Sequence, residues 1–574
     1  MKQGSISITS GRLRRDLETA VRRSASNNIV PRIMMRDASV FSDRRDLKRL
    51  IANRLGWVDS AALMKRKITS IETFGRTVLR AGFKHVVLIG MGGSSLCPDL
   101  FRLMCRPRKG LKSFHVLDST DPSAVIALTR KIDLKKTLFI VASKSGGTVE
   151  TRSHEAYFIG LLQDKGIRNF GSHFVAITDT GSHLQKFARK NKYRKVFLNP
   201  QDIGGRYSAL SYFGLVPGYF AGVDIRALVD DALAMQQLLR ERDDETNPAL
   251  LIGLLMAVGA KRGFDKLTFV ASKKASPLVP WIEQLVAEST GKQKKGVVPI
   301  EAEPQGNAAR YAADRMFVFI KFAGERTPGE NLLKAALKKR RFGIIDIQLG
   351  SINELGRQFL LWEAATAVAG AHLKINPFDE PNVTESKNNT RSILTAFERA
   401  GVLSYPKAHA RWGNLSLVAY GGRGEKLVRD AAGFSHLLKR FLAGARPPRY
   451  FAVLNYFKSD RHSESLLQGI RKTVRDRSTM STLRGYGPRY LHSIGQLYKG
   501  GAPEGIFVVF VRSNYPHLPI PGEKFGFGEL ISAQAIGDAQ ALMSRRLPTL
   551  VIALDGPVGR GLRAFGSALK QSLK

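Results

Sequence analysis

The chain has 574 residues, of which 43% are hydrophobic and 9% aromatic; this excludes a mainly disordered protein and leaves room for about two to four domains. It carries 90 lysines and arginines against 48 aspartates and glutamates, a formal net charge of +42, and this balance predicts attraction of polyanions or of small anionic substrates. Because the basic residues are scattered along the chain, a general compositional bias and a nucleic-acid-binding face both stay open as explanations.

Three features of the sequence bear on the cellular compartment. Cys97 and Cys105 are the only cysteines, too few for a disulfide framework or a cysteine metal site, so we expect a reducing, cytoplasmic environment. The N-terminus lacks the apolar core of a signal peptide. Residues 207–223 are uncharged, but they include Gly214 and Pro217 and fall short of the ~20 apolar residues of a membrane span, so we expect a buried helix and its turn.

The first half of the chain alternates short apolar runs with helical segments. Residues 1–55 predict a basic lead-in with helices. In a first domain, residues 56–243, three strand-length runs each enter a turn of Gly, Ser and Thr: HVVLI at 85–89, LFIVA at 138–142 and FVAI at 174–177. This is the βα rhythm of an α/β protein with a doubly wound, mostly parallel sheet.

A second domain is predicted over residues 244–574. It begins with runs at 267–271, 316–322 and 344–349 and a long helix at 355–371, and weaker strand patterns continue at 450–457, 506–511 and 550–554. The segments VASKSGGTVET and VASKKASPLVP are alike, which suggests two copies of one unit. Polar or Pro/Arg-rich residues predict linkers near 243–247 and 445–449.

The stretch WIEQLVAESTGK at 281–292 is the first candidate for chemistry. Its apolar residues recur at helical spacing, Pro280 suits the first turn and Gly291 stops the helix, so Glu288 falls near the helix C-terminus. The helix dipole there would raise the pKa of Glu288 and Lys292 would lower it, a balance that suits a general base. A solvated glutamate at the end of a surface helix is the alternative.

A second candidate is the segment SKSGGT between a predicted strand and a helix. Ser143, Ser145 and Thr148, with Lys144 and two glycines, predict an anion cradle at a helix N-terminus. An ordinary N-cap is the alternative, although the segment holds more hydroxyls than capping needs. It contains no GxxxxGK[ST], so a Walker nucleotide loop is not implied.

Three weaker signals complete the candidates. The turn GMGGSS at 90–95 matches a dinucleotide glycine turn only superficially and suits close approach of a substrate to the backbone equally well. Arg206 in GGRYS stands beside apolar sequence and needs an anionic partner, either an internal carboxylate or a substrate oxyanion. Lys387 and His492 gain meaning only beside the other motifs.

Together these motifs resemble the phosphoglucose isomerase family. The resemblance is carried in order by GMGGSSL, ASKSGGTVET, GGRYSALSYFGLVPGYFAGVDI, WIEQLVAESTGK and INPFDEPNVTESK. The tail LRGYGPRYLHSIGQLYKGG is most similar to the isomerase half of bacterial fused transaldolase–isomerase enzymes. The resemblance implies two sugar-isomerase (SIS) domains of αβα sandwich type, a homodimer, no cofactor or metal, and interconversion of glucose 6-phosphate and fructose 6-phosphate in glycolysis and gluconeogenesis.

The resemblance also implies roles for individual residues. Glu288 would move a proton between C2 and C1, Arg206 would steady the enediolate oxygens, and Lys387 and His492 would help to open the ring, the histidine being contributed in that family across the dimer interface. The remaining positions implied to bind substrate or phosphate are Gly93, Ser94, Ser143, Lys144, Ser145, Thr148, Gly205 and Gln496.

Two departures from the family pattern stand out. Gly147 replaces a residue that is more often threonine, which removes one hydroxyl from the phosphate loop. The LHSIGQ motif follows the other motifs, as in the fused enzymes, so we expect the C-terminal segment to complete the second domain's sheet. A non-catalytic sugar-phosphate sensor that binds nucleic acid through its basic surface is the alternative function, and use of mannose 6-phosphate stays open.

Overall fold

The computed structural model describes residues 5–241, 246–325, 327–401, 408–421 and 431–574, without the side chains of 419–421. The strands are β1 (Ser5–Thr9), β2 (His85–Gly90), β3 (Ser113–Leu117), β4 (Thr137–Ala142), β5 (Phe174–Asp179), β6 (Lys195–Asn199), β7 (Lys266–Ala271), β8 (Val298–Ile300), β9 (Arg315–Phe322), β10 (Gly343–Leu349), β11 (Ala410–Trp412), β12 (Leu415–Gly421), β13 (Tyr450–Tyr456), β14 (Ser481–Tyr486), β15 (Gly505–Arg512) and β16 (Thr549–Leu554).

The helices are α1 (Arg14–Ala25), α2 (Ile29–Met34), α3 (Arg45–Ala52), α4 (Ser60–Lys65), α5 (Ile68–Arg80), α6 (Leu96–Met104), α7 (Pro122–Thr129), α8 (Val149–Asp164), α9 (His183–Lys190), α10 (Tyr212–Ala221), α11 (Ile225–Glu241), α12 (Pro248–Lys261), α13 (Val279–Thr290), α14 (Glu330–Lys339), α15 (Leu355–Leu373), α16 (Thr384–Ala400), α17 (Phe434–Phe441), α18 (Arg461–Ser478), α19 (Gly495–Gly500), α20 (Phe527–Met543) and α21 (Val558–Ser572). In the part of the chain that the structure describes, no helix combines the length and the apolar character needed to cross a bilayer. The uncharged stretch forms α10, which is buried as expected.

The first sheet has the order β3-β2-β4-β5-β6 with all strands parallel. Successive residues of its strands enter two different apolar clusters: Val86 and Leu88 join one, Val87 and Ile89 the other. Both faces are therefore covered, which explains why these strands appear in the sequence as continuous apolar runs. The predicted α/β class with mostly parallel sheets is confirmed.

The second sheet has the order β1-β10-β9-β7-β8, and β1 is its one antiparallel member. The segment SISIT at 5–9 forms β1, with exposed and half-buried residues alternating, so part of the predicted lead-in joins this sheet. Buried residues of α10, α12, α13 and α15 connect one face of this sheet to one face of the first in a continuous core. Buried residues of α13 pack in this core, between the first sheet and the second.

The expectation that the C-terminal segment completes the second sheet is wrong. Within the described ranges it forms a third sheet, β11-β12-β16-β15-β13-β14, with an apolar cluster on each face. One edge strand of the second sheet, β8, has three residues. Beyond its end, the Glu303 carboxylate pairs with Arg315 of β9 at 2.6 Å and accepts the Thr482 backbone N–H of β14 at 2.7 Å. The described part of residues 244–574 therefore contains two sheets; the domain boundaries at 55 and 243 stay predictions.

The strand order repeats from sheet to sheet, as the suggested repeat requires. The two similar segments that suggested it, however, do not occupy equivalent places in that order. In the parallel part of each sheet, the strand that comes first in the chain is flanked by the second and third, with the fourth beyond the third: β2, β7 and β13 are these first strands. VASKSGG follows β4, a third strand, whereas VASKKAS follows β7, a first strand. The two segments are alike because each ends a buried strand and enters a polar turn before a helix.

Candidate active site

A cleft of about 250 Å³ lies at the carboxyl ends of β2 and β4, where loops of parallel sheets gather functional groups. Its other walls come from the C-terminal end of α13, the first turn of α16 and the segment after β14. Of the residues predicted from the sequence, the cleft is lined by Gly93, Ser94, Ser143, Lys144, Ser145, Thr148, Gly205, Arg206, Glu288, Lys387 and His492.

Glu288 lies in the last turn of α13, which Gly291 ends as predicted. Its side chain is only 12% exposed; Oε1 lies 3.6 Å from Nη1 of Arg206, and Oε2 accepts a 3.0 Å hydrogen bond from Gln284. Burial raises the pKa of Glu288, and the Arg206 charge opposes that rise. The expected direction of the pKa shift is therefore found, but burial and not the helix dipole is its main cause. Lys292 is not the opposing group, since its ammonium contacts Asp379 instead.

Arg206 is buried, with 3% of its side chain exposed, and its guanidinium is fixed from several sides. Nε donates to Ser289 Oγ at 2.8 Å, Nη2 donates to two backbone carbonyls of the 376–380 loop, and Nη1 donates to Glu380 Oε2 at 3.0 Å. Burial alone would lower the pKa of Arg206, but Glu288 and Glu380 raise it. Of the two partners considered from the sequence, the internal carboxylate is present as Glu380. Arg206 also lines the cleft, and its contact with a substrate oxyanion stays a prediction.

The SKSGGT loop connects β4 to α8. Ser143 Oγ and Ser145 Oγ accept from the backbone N–H groups of Gly146 and Gly147, each at 3.1 Å. Among the described residues, Thr148 makes no side-chain capping bond to α8, so the N-cap alternative does not account for its hydroxyl. The Lys144 ammonium lies 3.3 Å from Asp179; burial lowers its pKa, while Asp179 opposes that shift. The loop offers hydroxyls and a helix N-terminus to an anion.

Two glycines allow the loops around the cleft to touch. A Cβ at Gly93 would lie 2.0 Å from the carbonyl oxygen of Gly205, so the GMGG and GGRY backbones are in direct contact. Gly92 has φ +56°, and a Cβ there would lie 2.6 Å from the carbonyl oxygen of His492. The glycine-rich turn thus serves packing of three loops, which gives no support to a dinucleotide site. Gly93 and Ser94 also line the cleft, and their contact with substrate stays a prediction.

His492 reaches the cleft from the same chain. The motif follows β14, and Gln284 donates to the His492 carbonyl at 2.9 Å. His492 Nε2 lies 2.9 Å from Glu150 Oε1, which also accepts from Gln534 at 2.8 Å. Although burial alone would raise the Glu150 pKa, the His492 interaction lowers it, so the ionised carboxylate accepts and Nε2 carries the hydrogen. The implied contribution of this histidine across a dimer interface is not needed in this chain, because the third sheet presents it in cis.

Gln496 does not line the cleft, in contrast to the prediction. Its amide oxygen accepts from the Asn382 N–H at 2.8 Å, and its nitrogen donates to the Gly291 carbonyl at 2.9 Å. Both ends of the amide are therefore engaged in joining the end of α13 to the loop before α16. Gln496 supports the wall of the site.

Three side chains of the site were missed from the sequence: Gln284, Glu150 and Glu380. Gln284 precedes Glu288 by four residues, which places both on one helix face, so its role could have been predicted. Glu150 lies in the first turn of α8, two residues after Thr148. Nothing in the sequence distinguished Glu380 within NPFDEPN.

Parallel sheets whose carboxyl ends frame an anion cradle, a buried carboxylate and a fixed guanidinium define an α/β protein with a site suited to proton transfer on a small anion. Residues 28–306 match the family model described as phosphoglucose isomerase. A glucose-6-phosphate isomerase of Cyanothece sp. is 34% identical over 375 residues, covering 57% of this chain and 70% of that relative. The chain belongs to the phosphoglucose isomerase family.

Other relatives extend the comparison. A glucose-6-phosphate isomerase of Methanocaldococcus jannaschii is 28% identical over 377 residues, covering 60% of this chain and 92% of that protein. Among solved structures, a hypothetical protein from Thermus thermophilus aligns with a TM-score of 0.58 and 25% identity over 68% of this chain and 99% of its own. A glucose-6-phosphate isomerase from Chlamydia trachomatis aligns with a TM-score of 0.54 and 20% identity over 69% of this chain and 89% of its own, which supports the fold.

Proposed function

We propose that this protein is an aldose–ketose isomerase that interconverts glucose 6-phosphate and fructose 6-phosphate through an enediolate. The observation that carries the proposal is the meeting of Glu288, Arg206 and the SKSGGT loop in one cleft. The family and the names of the relatives support the same reaction. The sensor alternative is not favoured, since binding a sugar phosphate needs no buried base beside a fixed guanidinium.

In this proposal the substrate's phosphate binds at the N-terminus of α8, against Ser145 and Thr148, and serves as a handle whose binding energy fixes the sugar. Lys387 and His492 assist ring opening by exchanging protons with the ring oxygen and the anomeric hydroxyl. Glu150 orients the imidazole for this step through the Nε2 contact.

Proton transfer then falls to Glu288. A proton next to a carbonyl is weakly acidic, so the base needs fixed positive charge where the enediolate oxygens develop charge. Burial makes Glu288 a stronger base by raising its pKa, and the buried Arg206 guanidinium supplies the charge. The same carboxyl group returns the proton to the neighbouring carbon while the hydroxyl proton of the enediolate passes from O2 to O1, and the two transfers together complete an isomerisation without a cofactor.

The test is the variant Glu288→Gln in a coupled assay of fructose 6-phosphate conversion. Loss of the base should lower kcat by about 10²–10⁴-fold while sugar-phosphate binding, measured by calorimetry, persists. Glu283→Gln is the matched control, because it makes the same change on the same helix in a different cavity. Normal turnover by Glu288→Gln would contradict the assignment of the base, and a parallel assay with mannose 6-phosphate would settle whether that sugar is used.

We further propose that the chain is related most closely to the isomerase half of the fused enzymes and that it forms a homodimer in a cytoplasmic setting. The position of the LHSIGQ motif after the other motifs supports the first statement, and family resemblance supports the second.

Light scattering across a dilution series tests the homodimer: a constant monomer mass would contradict it. Since the described cleft draws His492 from its own chain, we expect specific activity to be independent of dilution.

A further inference from the structure

The cleft contains a second carboxylate that the proposed reaction does not use. Glu380 lines the same cavity as Glu288, and 48% of its side chain is exposed against 12% for Glu288. A carboxylate in a cleft that binds an anionic substrate weakens binding by charge repulsion. Its presence therefore needs an explanation in terms of another group of the site.

The hydrogen bonds of Arg206 supply that explanation. Nε donates to Ser289, and Nη2 donates to the carbonyl oxygens of Pro377 and Asp379 at 2.8 and 2.9 Å. One Nη1 hydrogen goes to Glu380 at 3.0 Å, while Nη1 lies 3.6 Å from Glu288. The base therefore feels the guanidinium charge without a direct hydrogen bond to it, which leaves its lone pairs available.

On the basis of the function proposed above, we propose that Glu380 is a positioning residue that binds Nη1 of Arg206 and so prevents a close ion pair between that guanidinium and Glu288. The Glu380 carboxylate thereby leaves Glu288 free to take a proton from the substrate. It also leaves the second Nη1 hydrogen directed toward the cleft, where the enediolate charge develops.

The charges around both carboxylates fix the sign of the expected effect. The charges of Arg206, Glu380 and His492 act on Glu288. Those of Arg206, Lys292 and Arg54 act on Glu380, which in turn acts on Lys144. Burial raises the pKa of Glu288 first, and the Glu380 charge raises it further against Arg206. Neutralising Glu380 removes this repulsion and lets Nη1 approach Glu288, so the pKa of Glu288 falls on both counts. Activity requires the ionised base, so the acid limb of the profile of kcat against pH moves to lower pH.

The experiment measures kcat and KM against pH for Glu380→Gln. We expect kcat on the plateau to fall roughly tenfold because a carboxylate of lower pKa is a weaker base. KM should fall as well, since a negative charge leaves the cleft beside Lys144. The acid limb of kcat should shift to lower pH than in the wild type.

Asp379→Asn is the matched control. Asp379 is the neighbouring residue, its side chain is 47% exposed, and its carboxylate contacts Lys292 at 2.7 Å instead of the Arg206 guanidinium. The acid limb of kcat against pH in Asp379→Asn should stay where it is in the wild type. An unmoved limb in Glu380→Gln, or an equal shift in both variants, would overturn the proposal.

A second measurement separates this inference from the proposed function. Infrared difference spectra can titrate the Glu288 carboxyl directly, with Glu288→Gln assigning the band. A lower Glu288 pKa in Glu380→Gln is expected whether or not sugar phosphates are turned over. If the wild type has no isomerase activity but the band shifts, the proposed function fails and the Arg206 contact stands; if the protein is active and the band does not move, the inference alone fails.

Discussion

Two glutamates of one helix show how position decides the use of a side chain. Glu288 meets Arg206, Gln284 and the cleft, whereas Glu283 lines a separate cavity of about 470 Å³ between the first sheet, α13 and the third sheet. Burial raises the pKa of both, that of Glu283 to about 8. A raised carboxyl pKa alone therefore does not identify a base; the fixed guanidinium and the anion cradle make the difference.

Gly147 in the SKSGGT loop gives a prediction at the scale of single residues. A Cβ there would meet Ser145 Oγ at 3.6 Å, an ordinary contact, and the residue lies between Ser145 and Thr148 in the anion cradle. We expect Gly147→Thr to add a hydroxyl to the loop and lower KM for sugar phosphate about fivefold, the equivalent of one hydrogen bond, with kcat unchanged.

Gly147→Val serves as the control for that change, because it adds the same bulk without the hydroxyl. Steady-state kinetics of both variants check the prediction. If the valine variant lowered KM as much as threonine, added bulk and not a hydroxyl would be responsible.

At the scale of elements, the site depends on close contact among three loops. The GMGG, GGRY and LHSIGQ segments come from different parts of the chain, and their backbones touch where glycines leave out a Cβ. This contact places Arg206 opposite Glu288 although neither residue belongs to the first loop. Close backbone approach explains these glycines without a dinucleotide ligand.

Gly93→Ala tests that contact. Its Cβ would lie 2.0 Å from a backbone oxygen of Gly205, so the two loops must separate and Arg206 must move with its loop. Misplacing the group that stabilises the enediolate should lower kcat by roughly 10²-fold. Steady-state kinetics measure this, and circular dichroism confirms an intact fold.

The control for the glycine contact is Gly181→Ala. Gly181 also lies in a loop at the carboxyl edge of the first sheet, has φ +80° and has open space around its Cβ position. We expect this variant to lose some stability through backbone strain but to keep its kcat. Equal loss of kcat in both variants would show that loop strain, and not contact with Gly205, matters.

At the scale of the whole molecule, a buried ion pair beside the second sheet holds the Glu303 carboxylate against Thr482 of the third sheet. Glu303 and Arg315 are 1% and 0% exposed and lie 2.6 Å apart. Burial raises the pKa of Glu303, but Arg315, Arg471 and the hydroxyl of Thr482 lower it overall. The pair therefore stabilises the fold above the carboxyl's ordinary pKa and loses that contribution as pH falls through the lowered value.

We expect Glu303→Gln to cost about 3–5 kcal/mol, because it leaves a buried guanidinium uncompensated. Hydrogen exchange should show faster opening of β13–β16 than of β2–β6, and kcat should fall as His492 becomes less ordered.

Glu523→Gln is the control for that prediction. Glu523 pairs with Arg152 at 4.0 Å, and the side chains are 34% and 55% exposed, so the change should cost less than about 1 kcal/mol. Equal opening of all three sheets in Glu303→Gln would contradict the fastening role.

The sequence predicted β2, β4 and β5 of the first sheet and most residues that line the cleft, because buried parallel strands are continuous apolar runs and several site motifs follow them. It missed β3 and β6, whose residues are only partly buried. It could not predict which sheet a strand joins: β1 pairs with β10, and β14 with β13, through contacts between distant residues. The same limit explains Gln496, whose partners in the folded chain, Gly291 and Asn382, are far from it in sequence.

The antiparallel pairing of β1 with β10 has a consequence for synthesis on the ribosome. β1 ends at residue 9 and its partner begins at residue 343, so at roughly 5–20 residues per second the strand waits roughly 15–70 seconds for its partner to be translated. During that interval Ile6 and Ile8 have no sheet to join, and when β10 emerges its own unpaired edge is a site for misassociation until β1 covers it. The nascent chain must therefore keep β1 available until the second sheet is nearly complete.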